Sequence, residues 1–210
     1  MHSKLQYISQ GVDYNRQLNN IFRALDAGCD WIQFRYKNHQ EMSTGYVAEK
    51  IKTLCQKYNA TFIINDFVNI AKEVDADGVH LGLNDMTIDE ARAILGPDKI
   101  IGGTANTLEQ VLQRIDEKCD YIGLGPFRFT TTKENLSPVL GLEGYKKIMD
   151  ELKLQHKNIP IYAIGGIEMD DVESIVNTGI YGIAVSGMIT NAIDKMEVVS
   201  QLNNRLHAIA

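Results

Sequence analysis

The sequence predicts an α/β fold, a single (β/α)8 barrel occupying residues 1–210, and three observations predict it. Short β-branched runs alternate with longer amphipathic ones, eight of each. No break in composition divides the chain into parts. The unusual polar residues fall just after the runs read as strands, where enzymes of this fold build their sites. The alternative, an open doubly wound sheet, needs fewer strands and a glycine-rich phosphate loop after the first one. Here residues 5–8 lead instead into Ser9-Gln10-Gly11.

In order, residues 5–8 (Leu-Gln-Tyr-Ile) read as the first strand and the amphipathic stretch 14–27 as the first helix. The apolar run 31–34 is the second strand, followed by a helical pattern over 42–58. Residues 61–64 and 68–74 form the third pair, 78–81 and 88–95 the fourth. The fifth strand is short, 100–101, with Gly102-Gly103-Thr104 as its loop and a helix over 108–116. Residues 121–123 and 142–154 make the sixth pair, 161–164 and 169–177 the seventh, 183–185 and 193–206 the eighth.

Composition narrows the function. A 44% hydrophobic content over 210 residues suits one domain with a substantial core, not disorder. The net charge of −6 disfavours nucleic acid as a partner, so cations found together form a local site. There is no apolar run long enough for a membrane span and no basic-then-apolar leader, and we expect a cytoplasmic enzyme. Cys29, Cys55 and Cys119 lack metal-type spacing, sit in or beside apolar stretches and read as buried free thiols. A homo-oligomer is left open.

The most informative segment is Gln33-Phe34-Arg35-Tyr36-Lys37. Alternation along a strand puts Gln33, Arg35 and Lys37 on one side. Two cations and an amide at a strand exit call for an anion, because unpaired buried charge costs several kcal/mol. Asp66 and Asp85, after strands three and four, are candidate ligands for Mg2+, an ion that takes carboxylate oxygens together with water and phosphate oxygens. Each could instead cap the helix that follows. No Cys or His cluster accompanies them, so zinc is not indicated. Gly165-Gly166 and Ser186-Gly187, after strands seven and eight, suggest a second anion site, since glycine lets backbone N–H groups approach a phosphate; ordinary turns are the other reading. Two anion sites, one metal-assisted, imply joining one phosphate-bearing molecule to another that loses pyrophosphate.

Six segments, each at a strand end, carry a family resemblance: Gln33-Phe34-Arg35-Tyr36-Lys37, Ile63-Ile64-Asn65-Asp66, Asp77-Gly78-Val79-His80-Leu81-Gly82, Gly123-Leu124-Gly125-Pro126, Thr130-Thr131-Thr132-Lys133 and Ile164-Gly165-Gly166-Ile167. Through them the chain resembles thiamine-phosphate synthases over essentially its whole length. That family joins 4-amino-2-methyl-5-hydroxymethylpyrimidine diphosphate to 4-methyl-5-hydroxyethylthiazole phosphate and releases pyrophosphate. The resemblance implies that Gln33, Arg35, Lys37 and Asn65 hold the diphosphate and the polar edge of the pyrimidine, with Mg2+ on Asp66 and Asp85. It further implies that Thr104 meets a leaving-group oxygen, that His80 flanks the pyrimidine, and that Lys133 reaches the diphosphate. For His80 a satisfied core histidine is the other reading. Thr130 and Thr132 would lie nearer the thiazole phosphate, which Gly166, Val185 and Ser186 would cradle.

The chain departs from the family pattern at Tyr36, Phe67 and Leu83, where relatives often carry Glu, Asp and Gln. It departs again at Ser186-Gly187-Met188-Ile189, where Val-Ser-Ala-Ile is usual. The composition of residues 130–137 suggests a mobile loop. Two rival functions remain: a thiazole tautomerase sharing the barrel and the thiazole phosphate site, and a non-catalytic barrel that senses thiamine phosphate.

Overall fold

The computed structural model describes residues 3–36, 44–129 and 138–208. Eight strands, β1 (Leu5–Ile8), β2 (Trp31–Phe34), β3 (Thr61–Asn65), β4 (Gly78–Leu81), β5 (Ile100–Ala105), β6 (Tyr121–Leu124), β7 (Ile161–Ile164) and β8 (Gly182–Val185), close in sequence order into one barrel. Every neighbouring pair is parallel, and β1 closes the ring on β8 through Leu5↔Ile183 and Tyr7↔Val185.

The helices are α1 (Tyr14–Asp26), α2 (Thr44–Lys57), α3 (Val68–Glu73), α4 (Ile88–Leu95), α5 (Leu108–Asp116), α6 (Gly141–Leu154), α7 (Val172–Val176), α8 (Gly187–Thr190) and α9 (Lys195–His207). Polar side chains fix several of their starts. Asp13 accepts from Arg16 N at the head of α1, Asp194 accepts from Glu197 N at α9, and Thr87 with Glu90 forms a reciprocal capping box at α4.

Alternation along the strands divides two cores. Outward residues such as Ile32, Phe34, Val79, Leu81 and Ile122 pack under the helices in the main cluster. Inward residues Trp31, Ile63, Tyr121 and Tyr162 fill the barrel, where the three aromatic rings meet edge to face at 4.9, 5.0 and 5.6 Å. This plug fills the barrel interior, and the residues that line the cavity stand at the carboxyl ends of the strands.

Three elements differ from expectation. β5 runs on to Ala105, so Gly102, Gly103 and Thr104 lie in the strand and not in the loop. The glycines are there for space: a Cβ on Gly102 would fall 2.1 Å from the Tyr121 ring, and one on Gly103 would meet Arg114 and Cys119 at 2.8–2.9 Å. The helical stretch after β7 begins as a 3-10 turn, Met169–Asp171, before α7. After β8 an extra short helix, α8, precedes the last one.

Candidate active site

At the carboxyl mouth of the barrel lies a cavity of about 640 Å³. Arg35, Gln33, Asn65, Asp66, His80, Asp85, Thr104, Gly166, Val185 and Ser186 all line it. These are the sequence-predicted site residues among those described. Lys37, Thr130, Thr132 and Lys133 lie outside the described residues.

Arg35 follows β2, its N–H donating to Ser9 Oγ at 3.0 Å and its carbonyl accepting from Gln17 Nε2 at 3.1 Å. Burial pulls its pKa below the usual arginine value, with the nearby Asp66 carboxylate opposing. A cation in such poor solvent is well placed to take up an anionic ligand.

Neither aspartate is a helix cap. Phe67 occupies that position for α3, and Thr87 does so for α4. Asp66 instead adopts φ +68°, its N–H bonded to His80 O at 2.9 Å. A non-glycine residue in that conformation is uncommon, and here it sits at the rim of the cavity. Asp85 folds back on its own turn, Oδ2 accepting from Gly82 N at 2.6 Å. Among the described residues no three His, Cys, Asp or Glu side chains gather as a metal cage. Two hard carboxylates therefore suit only an ion that draws its other ligands from water or substrate oxygens.

The floor of the cavity is a buried chain of hydrogen bonds joining five strands. Gln33 Nε2 donates to Gln6 Oε1 at 3.0 Å, and Gln6 Nε2 to the Tyr121 hydroxyl at 3.2 Å. That hydroxyl meets His80 Nδ1 at 3.1 Å, and His80 Nε2 meets Thr104 Oγ1 at 3.0 Å. His80 is thus both a satisfied buried residue and part of the cavity wall. Burial pushes the Tyr121 phenol far above its ordinary value, the bonds from Gln6 and Gln33 opposing, and the hydroxyl stays neutral.

From outside the barrel, buried Arg114 ties two rim segments together. It donates to Thr104 O at 3.1 Å and Gly82 O at 2.9 Å and pairs with Glu117 at 2.8 Å. Opposite, Gly165 and Gly166 follow β7 with φ of +92° and +68°, values glycine alone adopts freely. Ser186, after β8, donates to Gln10 Oε1 at 3.3 Å.

Sequence reasoning missed Gln6, Tyr121 and Arg114, and also Arg128, which follows β6 and lines the cavity. A signal for Gln6 was present: an amide in an otherwise apolar strand, on an inward position.

Residues 5–189 match the family described as thiamine monophosphate synthase. A thiamine-phosphate synthase of Flavobacterium psychrophilum is 60% identical over 98% of this chain and 100% of its own length. Another, from Phocaeicola vulgatus, is 47% identical over 96% of this chain and 97% of its own. Among solved structures, thiamine phosphate pyrophosphorylase from Pyrococcus furiosus superposes with a TM-score of 0.84 at 33% identity, covering 98% of this chain and 96% of that one. A 3-hexulose-6-phosphate synthase, at 13% identity and TM-score 0.72, shares the fold.

Proposed function

The chain belongs to the thiamine monophosphate synthase family, and from that premise we propose that it joins a pyrimidine diphosphate to a thiazole phosphate, releasing pyrophosphate and forming thiamine phosphate. The observation that carries this reading is the convergence of residues from all eight strand ends on one cavity with two unlike polar sides. Arg35, Asp66 and Asp85 stand on the side of β2 to β4, and the Gly165-Gly166 turn and Ser186 on the side of β7 and β8. A volume of about 640 Å³ falls within the ordinary range of small-molecule sites.

The diphosphate is assigned to the first side, where Arg35 supplies a planar fork of donors and Asp66 and Asp85 would hold Mg2+. Such an ion, when bound, neutralises charge on a departing diphosphate. Lys37 and Lys133 are assigned to the same anion, and Thr130 and Thr132 to the thiazole phosphate, which Gly166, Val185 and Ser186 would cradle. The polar floor suits a heteroaromatic ring. Gln33 and Asn65 offer amides to its edge, while His80 and Thr104 hold each other in place. The pyrimidine amino group pushes electrons toward the exocyclic C–O bond, so that bond breaks as the diphosphate leaves, and the thiazole nitrogen attacks the stabilised cation with its own lone pair. No side chain has to remove a proton from that nucleophile. The work left to the protein is to stabilise the leaving group and hold the two rings in contact.

The three buried unpaired cysteines suit a reducing compartment, and we assign the enzyme to the cytoplasm. Turnover of the two substrates, with and without Mg2+, tests the reading: thiamine phosphate and pyrophosphate should form together, and only with the metal. Isomerisation of the thiazole alone would favour the tautomerase, and binding of thiamine phosphate without turnover a sensor.

A further inference from the structure

We propose that Arg128 is a positioning residue for the phosphate-binding turn, holding the two carbonyls of Gly165 and Gly166 so that the N–H groups of Gly166 and Ile167 stand ready as paired donors. The inference rests on the reading that a phosphate-bearing substrate occupies the β7 side of the cavity.

The geometry begins with Arg128 N, which donates to Gly165 O at 2.9 Å, while the Arg128 guanidinium donates to Gly166 O. In a trans peptide the N–H points opposite the carbonyl. Two carbonyls gripped from the Arg128 side therefore leave the N–H groups of Gly166 and Ile167 directed away from it. Among the described residues neither N–H donates a hydrogen bond, and both residues line the cavity. Successive N–H groups in such a turn form an anion-binding concavity.

The turn needs an external hold because it contains two consecutive glycines at positive φ, with wide conformational freedom. Arg128 provides it together with Asp171. The guanidinium meets Asp171 through both oxygens, at 2.9 and 3.0 Å, and Asp171 Oδ2 also accepts from Glu168 N at 2.8 Å. One arginine–aspartate pair thus grips the carbonyl of Gly166 and the N–H of Glu168, bracketing Ile167. Packing is equally close: a Cβ added at Gly166 would fall 2.8 Å from Arg128 Cβ. The guanidinium is committed to Asp171, with Glu168 a further 3.7 Å away, so its charge is already offset. Its part is to hold the donors in place, which lowers the ordering cost of binding.

Steady-state kinetics of Arg128→Ala, Arg128→Lys and Asp171→Asn test this, with the intact chain and both substrates. We expect Arg128→Ala to raise KM for the thiazole phosphate about tenfold or more, with kcat at saturation and KM for the pyrimidine diphosphate within about threefold. Arg128→Lys keeps the charge but cannot span Gly166 O and both Asp171 oxygens, and should rescue little; Asp171→Asn should shift the same KM in the same direction. Full rescue by lysine, or equal rises in both KM values, overturns the proposal. Should the wild-type protein form no thiamine phosphate, the proposed function fails by itself. Calorimetric titration of inorganic phosphate into wild type and Arg128→Ala then decides the inference separately: weaker binding in the variant supports it, and equal binding overturns it.

Discussion

Removing one oxygen from the floor of the cavity, by Tyr121→Phe, should do more damage than its size suggests. The ring of Tyr121 is fully buried, and its hydroxyl holds Gln6 Nε2 at 3.2 Å and His80 Nδ1 at 3.1 Å. Phenylalanine keeps the edge-to-face contacts with Trp31 and Tyr162 but leaves two buried polar atoms without their partner. Each such atom costs about 1–3 kcal/mol. Taking about 1.5 kcal/mol for each gives about 3 kcal/mol in all, a fall in Tm of about 6–12 °C for a chain of this size. Urea titration of the wild type, Tyr121→Phe, Gln6→Leu and the double variant would measure it. The double variant should be less destabilised than the sum of the singles, because Gln6 and Tyr121 then no longer strand each other, while Gln33 Nε2 and His80 Nδ1 lose their partners only once. Strict additivity, or a loss below about 0.5 kcal/mol in Tyr121→Phe, would refute the idea of a coupled floor.

Asp85→Asn retains an oxygen for Gly82 N but loses the charge, so we expect kcat to fall about a hundredfold at unchanged Tm. Full Mg2+-dependent turnover would reduce Asp85 to a turn-former. Gly166→Val forces a β-branched residue to φ +68° against Arg128, and should weaken the thiazole phosphate by an order of magnitude or more while sparing the diphosphate. Arg35→Ala should do the reverse. If calorimetry finds both substrates weakened together in both variants, the two-sided assignment is wrong. Burial raises the Cys29, Cys55 and Cys119 thiols from 9.0 to about 12. A folded value above the unfolded one contributes stability that is complete below about pH 9 and is lost as pH rises toward 12. The urea midpoint should therefore fall across that window, and less steeply in Cys55→Ala; an unchanged slope would show that the thiols do not govern it.

How much of this was legible beforehand depends on how local each signal is. The strand and helix alternation rests on short periodic segments, and the barrel followed from it. The sequence ends β5 at residue 101 because Gly102 and Gly103 carry no β-branched signal; they pair with neighbours on both sides in the strand, and glycine is required there by the bulk of Tyr121 on one face and Arg114 with Cys119 on the other. The two aspartates were ambiguous between ligand and cap until Phe67 and Thr87 occupied the caps. Gln6 and Tyr121 lie 115 residues apart, and Arg128 and Asp171 lie 43 apart, so no window of sequence contains either pair. The resemblance brought together Arg35, Asp66, Asp85, Gly166 and Ser186, but gave no hint of the residues that hold them.

The hydrogen-bonded floor also constrains how this lineage can change. Gln6, Gln33, His80, Thr104 and Tyr121 come from five strands, and each is a donor or acceptor that another member requires. A substitution that removes the donor or acceptor at any one position strands its neighbour in a dry interior, so such single steps pass through a less stable intermediate. The five positions should drift together or not at all, with exchanges at 6 accompanied by exchanges at 33 or 121. The outward aliphatic positions of the same strands, such as Ile32, Val79, Leu81 and Ile122, carry no polar partner and are free to exchange one aliphatic residue for another. Each of these strands should therefore carry two rates of change, alternating residue by residue with its pleat.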